Sequence, residues 1–195
     1  MAVHPQLPNA ITIARILCAP VFFWMLLADG GAGGGLRWAA AVVFIVAIAT
    51  DGVDGYIARR YEIVSDLGKL LDPIADKVLT GVAFVGLSIL GELDWWVTVV
   101  VLVREIGITV YRFMVVSDHV LAAAWMGKLK TVAQAVALSI ALLPLVSLSD
   151  ADAWQTTVWW AGTVTMTIAV ILTIASGIDY VVSEVRGARA KRSRP

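Results

Sequence analysis

Four aspartates set the chemistry open to this chain. Asp51, Asp54, Asp72 and Asp76 fall, with Gly55, Ala58, Arg59 and Gly68, in the spacing D-x2-D-G-x2-A-R-x8-G-x3-D-x3-D, a stretch of 26 residues. They lie between two apolar runs that read as membrane helices, where a charge is costly unless it is paired, hydrated in a cavity or bound to a cation. Asp51 and Asp54 are i, i+3, and Asp72 and Asp76 are i, i+4, so each pair shares one helix face. Consecutive helices joined by a short loop are antiparallel neighbours, and these faces can bring four carboxylates into one pocket. Left alone, the four anions would repel one another and take up protons. A hard divalent cation removes that conflict, and oxygen-only ligands suit Mg2+ or Mn2+ rather than zinc or copper. Four carboxylates can hold two such ions, as phosphoryl-transfer sites do.

The neighbouring residues fit this picture. Gly55 and Gly68 lack side chains, so a ligand can approach the backbone closely. Arg59 lies one turn beyond Gly55 and is placed either to neutralise a phosphate or to serve as an ordinary loop cation.

The elements that position these residues follow from hydropathy. The chain is 59% hydrophobic and 15% charged over 195 residues, with a mean hydropathy of +0.84. Soluble domains carry about 45–50% apolar and about 25% charged residues. An all-α polytopic membrane protein is expected, one domain over residues 1–195. A crossing helix needs about 20 apolar residues, and six stretches qualify: 10–28, 37–58, 69–90, 95–116, 128–148 and 155–182. Residues 1–9 form an N-terminal segment without a basic leader, so the first apolar run reads as a retained helix. Gly30 to Gly35 reads as a flexible glycine-rich loop. Trp95, Trp96, Trp154, Trp159 and Trp160 lie near helix ends, as in an interfacial aromatic belt. Cys18 is the single cysteine, which excludes an intrachain disulfide and a cysteine metal site.

Lys and Arg set the orientation. Arg59, Arg60, Lys69, Arg112, Lys128, Lys130 and the basic tail 186–195 lie on one side; the opposite loops offer Arg37. Both termini and the carboxylate segment are therefore expected at the cytoplasmic face of the cell membrane. The tail can also attract anionic headgroups.

All eight motif positions match those of the CDP-alcohol phosphatidyltransferases, and the chain resembles that family. The resemblance implies that Asp51, Asp54, Asp72 and Asp76 ligate two divalent metals, and that Asp76 is also the base that deprotonates the acceptor hydroxyl. It implies that Asp51, Asp54, Gly55, Ala58, Arg59, Gly68 and Asp72 bind CDP-diacylglycerol. The reaction it implies is attack of an alcohol on the β-phosphorus of the CDP-linked lipid, with release of CMP.

Further stretches resemble the phosphatidylglycerophosphate-forming branch of that family. They are Leu7 to Arg15, Leu71 to Lys77, Val103 to Ile106 with Tyr111 and Arg112, and Trp125 to Thr131 with Gln134. The acceptor expected from this branch is sn-glycerol 3-phosphate, a dianion, and Arg104, Arg112, Lys128 and Lys130 are the cations expected to hold it. Arg104 and Arg112 are eight apart, hence about 80° around a helix. Arg104 can alternatively pair with Glu105, and Lys130 can be a snorkelling interface residue. Inositol phosphate, or phosphatidylglycerol as in cardiolipin formation, are other acceptors within the family. A small cation transporter with intramembrane carboxylates is the reading outside it. The family also implies a homodimer. Gly81, Ala83 and Gly86 offer small residues for close packing, between subunits or within one. No nucleic-acid partner is expected.

Overall fold

The computed structural model describes the backbone of residues 7–60, 66–114 and 123–192, and within these the side chains of 10–50, 74–111, 125–183, 185 and 186. The described residues form six long helices and no strand: α1 (Leu7–Asp29), α2 (Gly35–Arg60), α3 (Asp66–Ile89), α4 (Trp95–Met114), α5 (Ala123–Leu142) and α6 (Asp152–Arg192), with a short 3-10 turn at Leu145–Leu148. Four of the six expected stretches agree with these helices to within a few residues, and the sixth helix runs ten residues past its expected end. The fifth is displaced: α5 begins at Ala123 and ends at Leu142, because Pro144 cannot continue a helix. The 41-residue α6 runs on through most of the basic tail. At 1.5 Å per residue it is about 60 Å long, roughly twice the hydrocarbon thickness.

Ala10–Asp29 and Asp152–Ser183 are by themselves long and apolar enough to cross a membrane, and Gly35–Thr50 is a shorter apolar stretch. Ionic residues part-way along α3, α4 and α5, such as Lys77, Glu105 and Lys130, lower the hydropathy of those helices, and they are turned inward and paired. Apolar side chains cover the outside, among them Leu17, Val21, Val103, Val132, Ile168, Ile171 and Ile178.

α1 lies between α2 and α3 and packs along both, while α2 and α3 touch only slightly among the described residues. α5 packs on α6, and α2–α5, α3–α4 and α4–α6 contacts close the bundle. The core interlocks Phe22, Leu26, Phe44, Phe84, Leu87, Leu138 and Leu142, all essentially without exposure. Hydrophobicity gives little drive between helices in lipid, so close fit must hold them. Gly86 shows that fit: a β-carbon there would lie 2.6 Å from Leu26 Cδ2 of α1. One at Gly81 would meet Leu102 of α4 at 3.4 Å. Of the two packing roles open to these small residues, the one observed is within the chain.

The glycine-rich turn is built rather than loose. Gly30, Gly31 and Gly33 all have positive φ, which side-chain-bearing residues rarely adopt. Asp29 closes the turn by accepting from the backbone N–H groups of Gly33 at 2.9 Å, Gly34 at 3.0 Å and Arg37 at 3.3 Å. It thereby satisfies orphan donors at the start of α2. The exposed tryptophans Trp24, Trp95, Trp96, Trp154, Trp159 and Trp160 ring this end of the bundle, as an interfacial belt requires.

Candidate active site

The opposite end gathers the motif residues. The C-terminal parts of α2, α4 and α6 meet the N-terminal parts of α1, α3 and α5 there. Helix α2 is unbroken from Asp51 to Arg60, and α3 from Asp66 through Asp76. The i, i+3 and i, i+4 spacings therefore place each aspartate pair on one helix face. The side chains of Asp51, Asp54, Gly55, Ala58, Arg59, Gly68 and Asp72 lie outside the described residues, as does that of Arg112. Asp76 is described and half-buried. Among the described residues no group of three or more metal-ligating side chains forms, three of the four aspartates being outside them. The donor set nevertheless fits a hard divalent cation: all oxygen, on two continuous helix faces. Asp76 Oδ1 has no hydrogen-bond donor among the described residues.

Around Asp76 the bundle interior holds a chain of charges. Lys77 Nζ donates to Asp76 Oδ2 at 3.0 Å and also pairs with Glu105 of α4. Glu105 is 5% exposed, so it must be compensated. Its Oε1 accepts from Lys130 Nζ of α5 at 2.5 Å and from Arg104 Nη1 at 2.7 Å. One carboxylate thus gathers cations from three helices. Arg104 Nη2 continues to Ser176 Oγ of α6 at 2.9 Å. Gly177 makes room for this, since a β-carbon there would meet Arg104 Cγ at 3.3 Å. A second polar layer joins Gln134 Nε2 to Thr173 Oγ1 at 2.8 Å.

The expected acceptor cations are sorted by this arrangement. Arg104 and Lys130 face the interior, and Arg104 makes the pairing with Glu105 that its sequence position allowed. Lys130 is buried rather than snorkelling. Lys128 is exposed, being two residues and about 200° away around the helix. Two residues escaped the sequence reading as site members: Lys77, and Glu105 as more than a partner of Arg104. The available signal was a charge on each inside an otherwise apolar helix. Arg15, buried in α1 at this end, carried the same signal.

Comparison with known proteins places this geometry. Residues 5–175 match the family model for CDP-alcohol phosphatidyltransferase. The chain is 42% identical over 181 residues to a "Probable phosphatidylglycerophosphate synthase" of Mycobacterium tuberculosis (strain ATCC 25618 / H37Rv), covering 93% of this chain and 82% of that one. It is 36% identical over 190 residues to the "CDP-diacylglycerol--glycerol-3-phosphate 3-phosphatidyltransferase" of Bacillus subtilis (strain 168), covering 90% and 93%. Identity to the Escherichia coli (strain K12) protein of the same name is 33% over 186 residues, covering 90% and 92%. A match over most of the chain, on a helical bundle whose eight motif positions fall on the end of α2 and the start of α3, has one meaning: this chain belongs to the CDP-alcohol phosphatidyltransferase family, whose members are membrane-embedded transferases of phospholipid biosynthesis.

Proposed function

We propose that the protein transfers the phosphatidyl group of CDP-diacylglycerol to sn-glycerol 3-phosphate, giving phosphatidylglycerophosphate and CMP. One structural observation carries the acceptor class. Asp76 stands beside Lys77, whose partner Glu105 holds Lys130 and Arg104. A candidate base therefore adjoins cations suited to an anionic acceptor. The names of the relatives above support the same substrates.

In this reading Asp76 takes the proton from the acceptor's primary hydroxyl. The hydroxyl oxygen forms a bond to the β-phosphorus, the bond from that phosphorus to the bridging oxygen breaks, and CMP leaves with the electron pair. Arg104, Arg112, Lys128 and Lys130 hold the acceptor's phosphate, arginine by a fork and lysine as a point charge. Gly55, Ala58, Arg59 and Gly68 border the nucleotide. Asp51, Asp54, Asp72 and Asp76 would hold two Mg2+ or Mn2+ ions, which when bound neutralise diphosphate charge and orient the phosphorus.

The setting belongs to the same proposal: one domain over residues 1–195 crossing the cell membrane six times, with the site and both termini cytoplasmic, acting as a homodimer. The test is an acceptor panel on purified protein with CDP-diacylglycerol and Mg2+, following CMP release. Glycerol 3-phosphate is expected to support release. Release with inositol phosphate alone would replace the acceptor while leaving the family chemistry in place.

A further inference from the structure

Glu105 has no place in the eight-residue motif, yet among the described carboxylates it gathers the most cations. Lys77, Lys130 and Arg104 come from α3, α5 and α4, and all three end on its two oxygens. Among the described residues Asp76 adds a second carboxylate, reached through Lys77. The cluster sits where water is scarce, since Lys130 is 2% exposed. Arg104 also keeps a buried Nε donor with no hydrogen-bond partner among the described residues. Two cations side by side and an unused guanidinium donor are what an anionic ligand would complete.

We propose that Glu105 is the positioning residue of the acceptor site: it gathers Lys130 and Arg104 into a receptor for the acceptor's phosphate and, through Lys77, ties that receptor to Asp76. This rests on the reading that the acceptor is glycerol 3-phosphate. Without Glu105 the three ammonium and guanidinium groups would repel and separate. With it, they stay within one carboxylate's reach until the phosphate arrives with a charge of its own. Lys77 then registers the acceptor cations against the carboxylate that receives the hydroxyl proton, so that phosphate and hydroxyl are held at a set separation.

Steady-state kinetics in both substrates test this, alongside thermal unfolding in detergent. Glu105→Gln keeps shape and removes the charge. The KM for glycerol 3-phosphate is expected to rise about tenfold or more, as for loss of a charge-assisted contact, with the KM for CDP-diacylglycerol little changed. Glu105→Asp keeps the charge on a shorter stem and should recover part of that loss. The double variant Glu105→Gln/Lys130→Met removes one anion and one cation and is compared with Lys130→Met alone. If Glu105 serves only to neutralise Lys130, the two share one acceptor KM, and the proposal is overturned. If Glu105 also positions Arg104, the acceptor KM of the double variant lies several-fold above that of Lys130→Met. Should Glu105→Gln not fold, this comparison alone decides between these outcomes. No turnover of glycerol 3-phosphate by the unaltered protein would sink the acceptor reading. Normal turnover with an unchanged acceptor KM in Glu105→Gln would sink the role of Glu105 alone.

Discussion

Arg37 of α2 and Glu92 of the α3–α4 turn are joined by two parallel hydrogen bonds, Nη1 to Oε1 at 2.9 Å and Nη2 to Oε2 at 2.5 Å. The same guanidinium reaches the end of α5, donating from Nε to Leu142 O at 2.8 Å and from Nη2 to Ala141 O at 2.9 Å. Arg37 is the cation of the loops opposite the site, and it is 4% exposed and neutralised. The end that carries Trp95 and Trp96 therefore presents Asp94, Asp150 and Asp152 rather than free positive charge.

Arg37→Met removes the fork and leaves two α5 carbonyls without their donor. The expected cost is about 1–3 kcal/mol, toward the lower figure because Glu92 is partly exposed and can regain water. A lowered unfolding temperature in detergent, with turnover retained at low temperature, is the expected result. Arg37→Lys should recover only part, because one ammonium cannot reproduce the fork.

Gly86→Ala tests the α1–α3 contact. The added methyl would stand 2.6 Å from Leu26 Cδ2, so one helix must shift. Overpacking of this kind costs about 1–3 kcal/mol. A companion Leu26→Ala change in the same chain should relieve part of the loss. Unaltered thermal stability of Gly86→Ala would show that the helices do not approach this closely.

Removing divalent metal should abolish turnover, and adding Mg2+ or Mn2+ back should restore it. This follows from four aspartates on the C-terminal part of α2 and the N-terminal part of α3, an all-oxygen set suited to a hard divalent cation. Full CMP release in excess chelator would remove the metal site from the proposal.

Asp76→Asn keeps size and one oxygen but loses basicity. Turnover should fall by roughly 100-fold or more, with binding of CDP-diacylglycerol weakened far less. Measuring substrate binding and single-turnover rate separately distinguishes this from simple loss of affinity.

Replacing Arg112 or Lys128 with a neutral residue should raise the acceptor KM by roughly 10- to 150-fold, the worth of one charge-assisted contact of about 1.5–3 kcal/mol. The KM for CDP-diacylglycerol should change little. Equal weakening of both substrates would assign these cations to the fold or the nucleotide instead.

Much of this architecture is local and could be read directly. The apolar runs and their Gly and Asp breaks set where α1 ends, α2 begins, α3 ends and α4 begins, because helix formation and termination depend on near neighbours. The fifth helix was misplaced for a local reason too: Pro144 outweighs the apolar residues beyond it. The eight-residue motif was legible because its i, i+3 and i, i+4 spacings carry their own geometry.

What only the tertiary structure decided was which charges meet. Lys128 and Lys130 look alike as sequence, but the rotation of α5 against α6 buries one and exposes the other. Lys77, Glu105 and Lys130 are far apart in the chain, and their contact depends on how α3, α4 and α5 pack. That α1 lies between α2 and α3, with Gly86 seated on Leu26, likewise depends on side-chain fit across helices. Hydropathy reports whether a helix is buried in lipid; it carries no information on which neighbour each face will find, because that is settled by complementary shape and by the need to pair every interior charge.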